Sequence, residues 1–448
     1  MKPRLSEQLT LFASVVKWSA YAAVVGVLAG GGTALFLTML SRGTAFATAT
    51  PNYQYFLPLF LLASSALVRY LAPGAAGHGT EKVIEAVHQH MGRIPFRVVP
   101  VKLAATVITL ASGGSAGKEG PCAQIGAGLA SVFASLIRLP DEDRKKLVIC
   151  GISAGFATVF GTPIAGALFG IEVLVLGQMM YDVLLPSFVA GIVGYHVATS
   201  LGITYFHGPI PIIPGMTGQG FLEILLLGVW CGLVALLFIQ LLHVMEKQLA
   251  RLFRHWIATA LIGGIILVLI GRFVSQNYLG LGLSTIEAGL RGEHLPAGAF
   301  FWKSVTSAIT LGCGGSGGVL TPVFFVGTAA GNLFAWLFHE PNVAAYSAIG
   351  MVAVLAAAAN TPISASVMAM EMFGSNIGPH AAVACVVSFL IVGYHSVYPS
   401  QLLGIQKSGS LVAPEGSQLG TIHHAVVTPR EKSLLAVVIA VSHRFRHP

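Results

Sequence analysis

Long apolar runs alternate with short glycine-rich or charged interruptions along this chain. Residues 18–39, 56–71, 221–244 and 257–270 are the most continuous runs. A transmembrane helix needs roughly 20 apolar residues, so these four are read as spans. Further apolar stretches at 103–111, 323–338, 345–359 and 381–397 are shorter or broken by Gly and Pro. Short, broken apolar helices suit the core of a transporter or channel, where irregular backbone is tolerated if it lines a polar cavity.

Composition agrees with that pattern. Of 448 residues, 55% are hydrophobic and 9% charged, against about 25% charged in ordinary soluble domains. The chain is read as an integral, multi-pass membrane protein. Its net charge of +8 is spread over tails and loops, at Lys2, Arg4, Arg144, Lys145, Lys146, Lys247, Arg251, Arg254, Arg430, Arg444 and Arg446. That spread reads as membrane topology, not nucleic-acid binding, and places both termini and the loop near residue 250 in the cytoplasm. AFATA at 45–49 only imitates a signal cleavage site, because the run before it is too long for a signal peptide. Cys122, Cys150, Cys231, Cys313 and Cys385 fall singly in apolar segments and form no metal spacing.

The membrane region is duplicated. GTPIAGALFGIEV from Gly161 matches NTPISASVMAMEM from Asn360 without a gap, pairing Thr162 with Thr361 at an offset of 199 and Glu172 with Glu371. Upstream, Gly151, Ala154 and Ala157 pair with Gly350, Ala353 and Ala356. Pro121 of KEGP and Pro322 of GGVLTP lie 201 apart, each between a glycine-rich turn and an apolar helix. The halves are placed at about 50–200 and 220–400. Repeated halves in transporters often share a site at the bilayer midplane, built from the ends of broken helices.

Three glycine-rich turns supply candidate ends: PGAAGHGTEK at 73–82, GGSAGKEGP at 113–121 and GCGGSGGVLTP at 312–322. A helix N-terminus carries roughly +0.5 of an elementary charge and binds anions without a formal cation. Such a site can release a permeating ion that a full positive charge would hold too tightly. Glu119, in the second turn, would occupy the anion's place while ionised and withdraw when protonated, serving as gate and proton acceptor together. The alternatives are a helix-capping acid or an ion-pair partner of Lys118. GGSAG and GGSGG also fit Gly-x-Ser-x-Gly, with Ser115 and Ser316 as nucleophiles of an intramembrane serine hydrolase. That motif requires a strand before the turn, and both copies sit in helical membrane sequence.

These residues resemble the CLC family of chloride channels and chloride/proton antiporters. GKEGP at 117–121 matches its G(K/R)EGP signature, and GGVLTP its GxFxP signature with Leu320 in the phenylalanine place. Tyr398 in SVYPSQ and PVK at 100–102 also fit, and the likeness covers about residues 15–405. The resemblance implies an all-α polytopic fold of two inverted-topology repeats with short, tilted and broken helices. It makes Glu119 the gate, Tyr398 a hydroxyl donor to the central anion, and His78, Gly79, Lys118, Gly120, Val319 and Leu320 the surrounding anion site. It also implies a homodimer in the bilayer with one pore per subunit, in a bacterial inner membrane. No enzymatic activity, cofactor or nucleic-acid partner is expected; chloride, and protons in the coupled case, are the transported ions.

Two positions depart from the family pattern. GHGTE at 77–81 replaces GSGIP, so His78 stands where a serine normally meets the anion. It could strengthen anion binding, narrow the inner mouth or make permeation pH-dependent; otherwise it caps the helix or turns away. Val173 stands where antiporters commonly carry a second, proton-collecting glutamate. With Lys118, it favours passive, channel-like chloride conduction. Chloride/proton exchange is the alternative, and fluoride/proton exchange follows, since fluoride-exporting relatives also lose the serine. Glu172 is assigned a structural role because Glu371 recurs without a gate. Residues 1–405 are taken as the membrane domain and 406–448 as a short cytoplasmic tail, too short for CBS domains. The tail's apolar patch at 434–441 packs as a helix or strand or stays disordered, and His423 with His424 is a surface pair.

Overall fold

The computed structural model describes residues 3–205, 208, 210, 218–252, 255–422 and 426–427. Lys2, Arg254, Arg430, Arg444, Arg446, the pair His423 and His424, and the patch at 434–441 lie outside the described residues. Within them the chain forms sixteen α-helices and two pairs of two-residue strands.

The first eight helices are α1 (Pro3–Ala49), α2 (Leu57–Leu71), α3 (Thr80–Gln89), α4 (Val98–Ala111), α5 (Glu119–Leu136), α6 (Asp141–Phe160), α7 (Pro163–Glu172) and α8 (Leu184–Ser200). The second eight are α9 (Gly218–Leu252), α10 (Trp256–Phe273), α11 (Leu283–Leu290), α12 (Ala299–Gly312), α13 (Leu320–Leu337), α14 (Val343–Ala359), α15 (Pro362–Phe373) and α16 (Gly378–Ile391). Both series run in the same order: α4 and α12, like α5 and α13, begin 201 positions apart, and α7 and α15 begin 199 apart. The structural repeat therefore reaches back to α1, the counterpart of α9, before the start near residue 50 read from the motifs. These two long helices share hydropathy but no motif, which is why the sequence alignment missed the pair.

Six segments are long and apolar enough to cross a membrane, including Tyr181–Ser200. That one escaped the sequence reading because Pro186, Ser187 and His196 interrupt its apolar run. The run at 381–397 also ends early as a helix, at Ile391, since Gly393 takes φ +62° and turns the chain into the loop that carries Tyr398.

Contacts between the halves are reciprocal. Ser115 N–H donates to Thr310 Oγ1 at 3.0 Å, and its repeat equivalent Ser316 donates to Thr109 Oγ1 at 3.1 Å. Ser115 Oγ meets Ser307 Oγ at 2.9 Å, and Ser316 Oγ meets Thr106 Oγ1 at 3.0 Å. Gly117 and Gly318 pair antiparallel, each N–H donating to the other's carbonyl at 2.7 Å. Equivalent residues meet in this mutual way only across a two-fold axis, so the halves run antiparallel. The tightest helix contacts are repeated too: a Cβ on Gly327 would meet the Gly350 carbonyl oxygen at 2.5 Å, and Gly126 faces Gly151 likewise. Small residues at these crossings let α13 approach α14, and α5 approach α6, where lipid gives no hydrophobic drive.

Residues on both sides of position 405 pack against the helices. Leu402–Leu403 pairs in parallel with Val175–Leu176, and Lys407 Nζ donates to Asn360 Oδ1 and the Phe389 carbonyl, both at 2.6 Å. Leu419 is buried against Tyr394 and Leu403.

Candidate functional site

The three glycine-rich turns meet. Gly79, at φ +77°, caps the N-terminus of α3, and a Cβ there would lie 2.5 Å from the Gly120 carbonyl carbon and 3.0 Å from Pro121 N. Gly120 in turn abuts the His78 carbonyl and Gly318. The N-termini of α3, α5 and α13 thus converge through direct backbone contact, with Lys118 and Val319 as the N-caps of α5 and α13. Each tip carries roughly half a positive charge, and three together make an electropositive pocket without a formal cation at its centre.

Glu119 occupies one of those tips. Its Oε2 accepts from Thr321 N–H at 2.9 Å and its Oε1 from Thr321 Oγ1 at 2.6 Å. Thr321 is the second residue of α13, so the carboxylate caps a helix of the other half and not its own. The side chain is 1% exposed. Gly117 makes this possible: a Cβ there would stand 2.6 Å from Glu119 Oε2 and 2.9 Å from Thr321 N. Among the described residues no ion pair joins Lys118 to Glu119; the Lys118 N–H instead points at Thr321 Oγ1, 3.4 Å away. Glu119 is thus placed as a helix-capping acid, of α13, and the ion-pair reading with Lys118 is replaced. Thr321 was quoted within GGVLTP but not singled out, since a threonine after a hydrophobic pair carries no local signal.

Lys118, Glu119 and Thr321 line a cavity of about 410 Å³ together with Ile203, Thr204 and Tyr205, which precede α9. A second cavity, of about 610 Å³, is lined by His243 towards the far end of α9, His395, Ser396 and Pro399. The first cavity reaches the tips of α5 and α13 through Lys118, Glu119 and Thr321, and the second reaches the loop that carries Tyr398.

Between them lie buried polar atoms without partners. Tyr398 is fully buried, and its hydroxyl makes no hydrogen bond within the protein. It lies beside the Thr80 hydroxyl, whose Oγ1 is likewise without a well-formed hydrogen bond among the described residues. His78 is 8% exposed with Nδ1 buried and unpartnered, and no side chain caps α3. An unsatisfied buried polar group costs about 1–3 kcal/mol, and several together mark a place for a polar ligand. The hydroxyls and helix tips here are donors, so the set fits an anion. Val319 and Leu320, 0% exposed at the start of α13, form its wall.

Two buried lysines brace the turns. Lys102 Nζ donates to the Ala75 carbonyl at 3.1 Å and the Gly77 carbonyl at 2.7 Å, on the turn before α3. Lys303, its repeat equivalent, donates to the carbonyls of Tyr278 at 3.3 Å and Gly280 at 2.7 Å, on the turn before α11. Neither has a carboxylate partner among the described residues, and both are 0% exposed. PVK drew attention to Lys102 only; the offset of 201 would have found Lys303.

The remaining acids on the repeat axis are structural. Glu172 accepts from the N–H groups of Ile363 at 3.0 Å and Ser364 at 2.8 Å, capping α15. Glu371 accepts from Ile164 at 3.1 Å and Ala165 at 2.7 Å, capping α7. Val173 is buried and apolar. Ser115 is fully buried in the hydroxyl network with Ser307 and Thr306, and a helix precedes its turn instead of a strand. The geometry offers it no base, which removes the hydrolase alternative.

A model of the voltage gated chloride channel family matches residues 59–393. The chain is 37% identical to the chloride/fluoride channel protein of Pseudomonas syringae pv. tomato, over 91% of either chain. It is 28% identical to the H(+)/Cl(-) exchange transporter ClcA of Yersinia pseudotuberculosis, over 78% of this chain and 79% of that one. Among solved structures, a CLC-type fluoride/proton antiporter superposes with a TM-score of 0.82 at 30% identity, covering 86% of this chain and 98% of the other. With a family match across most of the membrane helices, and helix tips meeting around a buried acid, the chain belongs to the CLC family of anion-transport proteins.

Proposed function

We propose that this protein exchanges anions for protons across the membrane, with Glu119 as the shared element of both pathways. The observation that carries this reading is the Glu119 carboxylate seated on the N-terminus of α13 through Thr321. An ionised carboxylate there holds an anion's seat; the neutral acid releases it, so each opening requires a proton. Tyr398, Thr80 and the turns at 78–79 and 319–320 receive the anion. Passive conduction, favoured from Val173 and Lys118 alone, gives way because relatives named as exchangers cover most of the chain. In vesicles of purified protein with an inward chloride gradient and no initial pH gradient, chloride entry should drive protons out and build a pH gradient. Chloride flux with no accompanying proton flux would end the exchange reading.

Fluoride is the second reading for the anion. It is supported by the antiporter structure at 30% identity, by the chloride/fluoride relative at 37% identity, and by His78 in place of a serine. The ratio of fluoride to chloride efflux from the same vesicles measures it. We expect His78→Ser to shift that ratio towards chloride, and an unchanged ratio would detach His78 from selection. The same reading takes residues 1–405 as the transporting unit of a homodimer with cytoplasmic termini.

A further inference from the structure

On the exchange reading, a second proton-binding group beside the Tyr398 loop, which lines the 610 Å³ cavity, would complement Glu119, which lines the 410 Å³ one. The acids on the repeat axis cannot serve. Both oxygens of Glu172 and both of Glu371 accept helix N–H groups, and position 173 is a valine.

Glu81 differs from them. It sits in the first turn of α3, next to Thr80, where its Oε1 accepts from the Ser400 N–H at 3.0 Å and from the Ser400 hydroxyl. Its Oε2 is buried and has no hydrogen-bond partner among the described residues. Ser400 lies two residues beyond Tyr398, on the loop whose Ser396 and Pro399 line the 610 Å³ cavity. Tyr398 is within electrostatic reach of both Glu81 and Glu119. The charges acting on Glu81 from its own helix are Lys82 and Glu85, ion-paired to each other at 2.7 Å. From α9, Glu246 acts on Lys82; α5 and α6, which also pack on α3, contribute no charge to Glu81. His78, with Lys102 and His243 in its surroundings, stands at the preceding turn.

We propose that Glu81 is the inner proton carrier of the exchange cycle, an inference that rests on the exchange reading above. Its Oε2 takes a proton from hydronium that enters by the 610 Å³ cavity, leaving a water molecule behind. That O–H bond breaks as the proton passes by way of the Tyr398 region to Glu119, whose neutralised carboxyl then leaves Thr321. No electron changes hands, and the Ser400 contact persists throughout, because it uses the other oxygen.

Glu81→Gln tests this directly, since the amide oxygen still accepts from Ser400 while the amide cannot carry the proton. Proton and anion fluxes are recorded together in vesicles containing wild type, Glu81→Gln or Glu81→Asp. In Glu81→Gln proton flux should fall about 100-fold, the lower end of what one positioned proton-transfer group contributes, with a much smaller fall in anion flux. Glu81→Asp should recover most of the coupling. A wild-type ratio of protons to anions in Glu81→Gln would overturn the proposal. If wild type itself moves no protons, the exchange reading fails instead, and infrared titration then judges Glu81 alone. A protonated-carboxyl stretch that titrates in wild type and is missing from Glu81→Gln supports its role as a proton-binding group; identical spectra refute it.

Discussion

Glu119 reaches Thr321 only because glycines strip the intervening backbone of side chains. Gly117 leaves the space its carboxylate crosses, and Gly120 lets the His78 carbonyl approach. Removing the Glu119 charge should free α13's N-terminus and raise anion flux. Glu119→Gln should therefore keep anion flux high, lose its dependence on pH and abolish proton movement. Flux that still follows pH in that variant would take the gate away from Glu119. At this scale the sequence was informative where a motif encloses the residue, as for Glu119, His78 and Tyr398. It was silent for Thr321, Glu81 and Lys303. Their local sequence is ordinary, and only their partners across the fold, at positions 119, 400 and 278–280, give them a role.

At the level of helices, the two halves are fastened by exchanged caps. Glu172 at the end of α7 closes the start of α15, and Glu371 closes the start of α7. Both helices begin with proline, which lacks an N–H, so the next two backbone donors are the ones left to satisfy. Glu172→Ala leaves the Ile363 and Ser364 donors unpaired in a membrane interior, at about 1–3 kcal/mol each. We expect a lower thermal-unfolding midpoint in detergent for Glu172→Ala, and a comparable loss for Glu371→Ala because the contact is mirrored. Midpoints equal to wild type in both variants would show the caps to be dispensable. The repeat was legible here from the Thr-Pro-Ile starts and the shared glutamate. The pairing of α1 with α9 was not, because a long apolar helix is specified by hydropathy alone and many sequences satisfy it.

Across the whole molecule, the helix faces left apolar and exposed, such as Leu59, Phe60, Leu185, Ile192, Leu226 and Val386, suit lipid or a second copy. Light scattering in mild detergent should give twice the mass of one chain, and a single-chain mass at all concentrations would remove the proposed dimer. Only at this scale do the parts of the proposed pathway come together: one cavity lined by Glu119 and Thr321, another lined by Ser396 and Pro399 beside Tyr398, and the meeting helix tips. The strand pairing of 402–403 with 175–176 and the Lys407 bonds hold the Tyr398 loop against the body.

The sequence alone determined that this chain lives in a membrane, that its membrane region is duplicated, and that glycine-rich turns open helices suited to anions. Hydropathy, turn chemistry and repeated motifs are properties of short segments and survive without knowledge of their neighbours. The tertiary structure decided which tips meet, that Glu119 caps the opposite half, and that Glu81 shares a loop with Tyr398. Those contacts join residues from about 200 to more than 300 positions apart. They depend on how the two halves are turned about their common axis, which no local pattern of residues specifies.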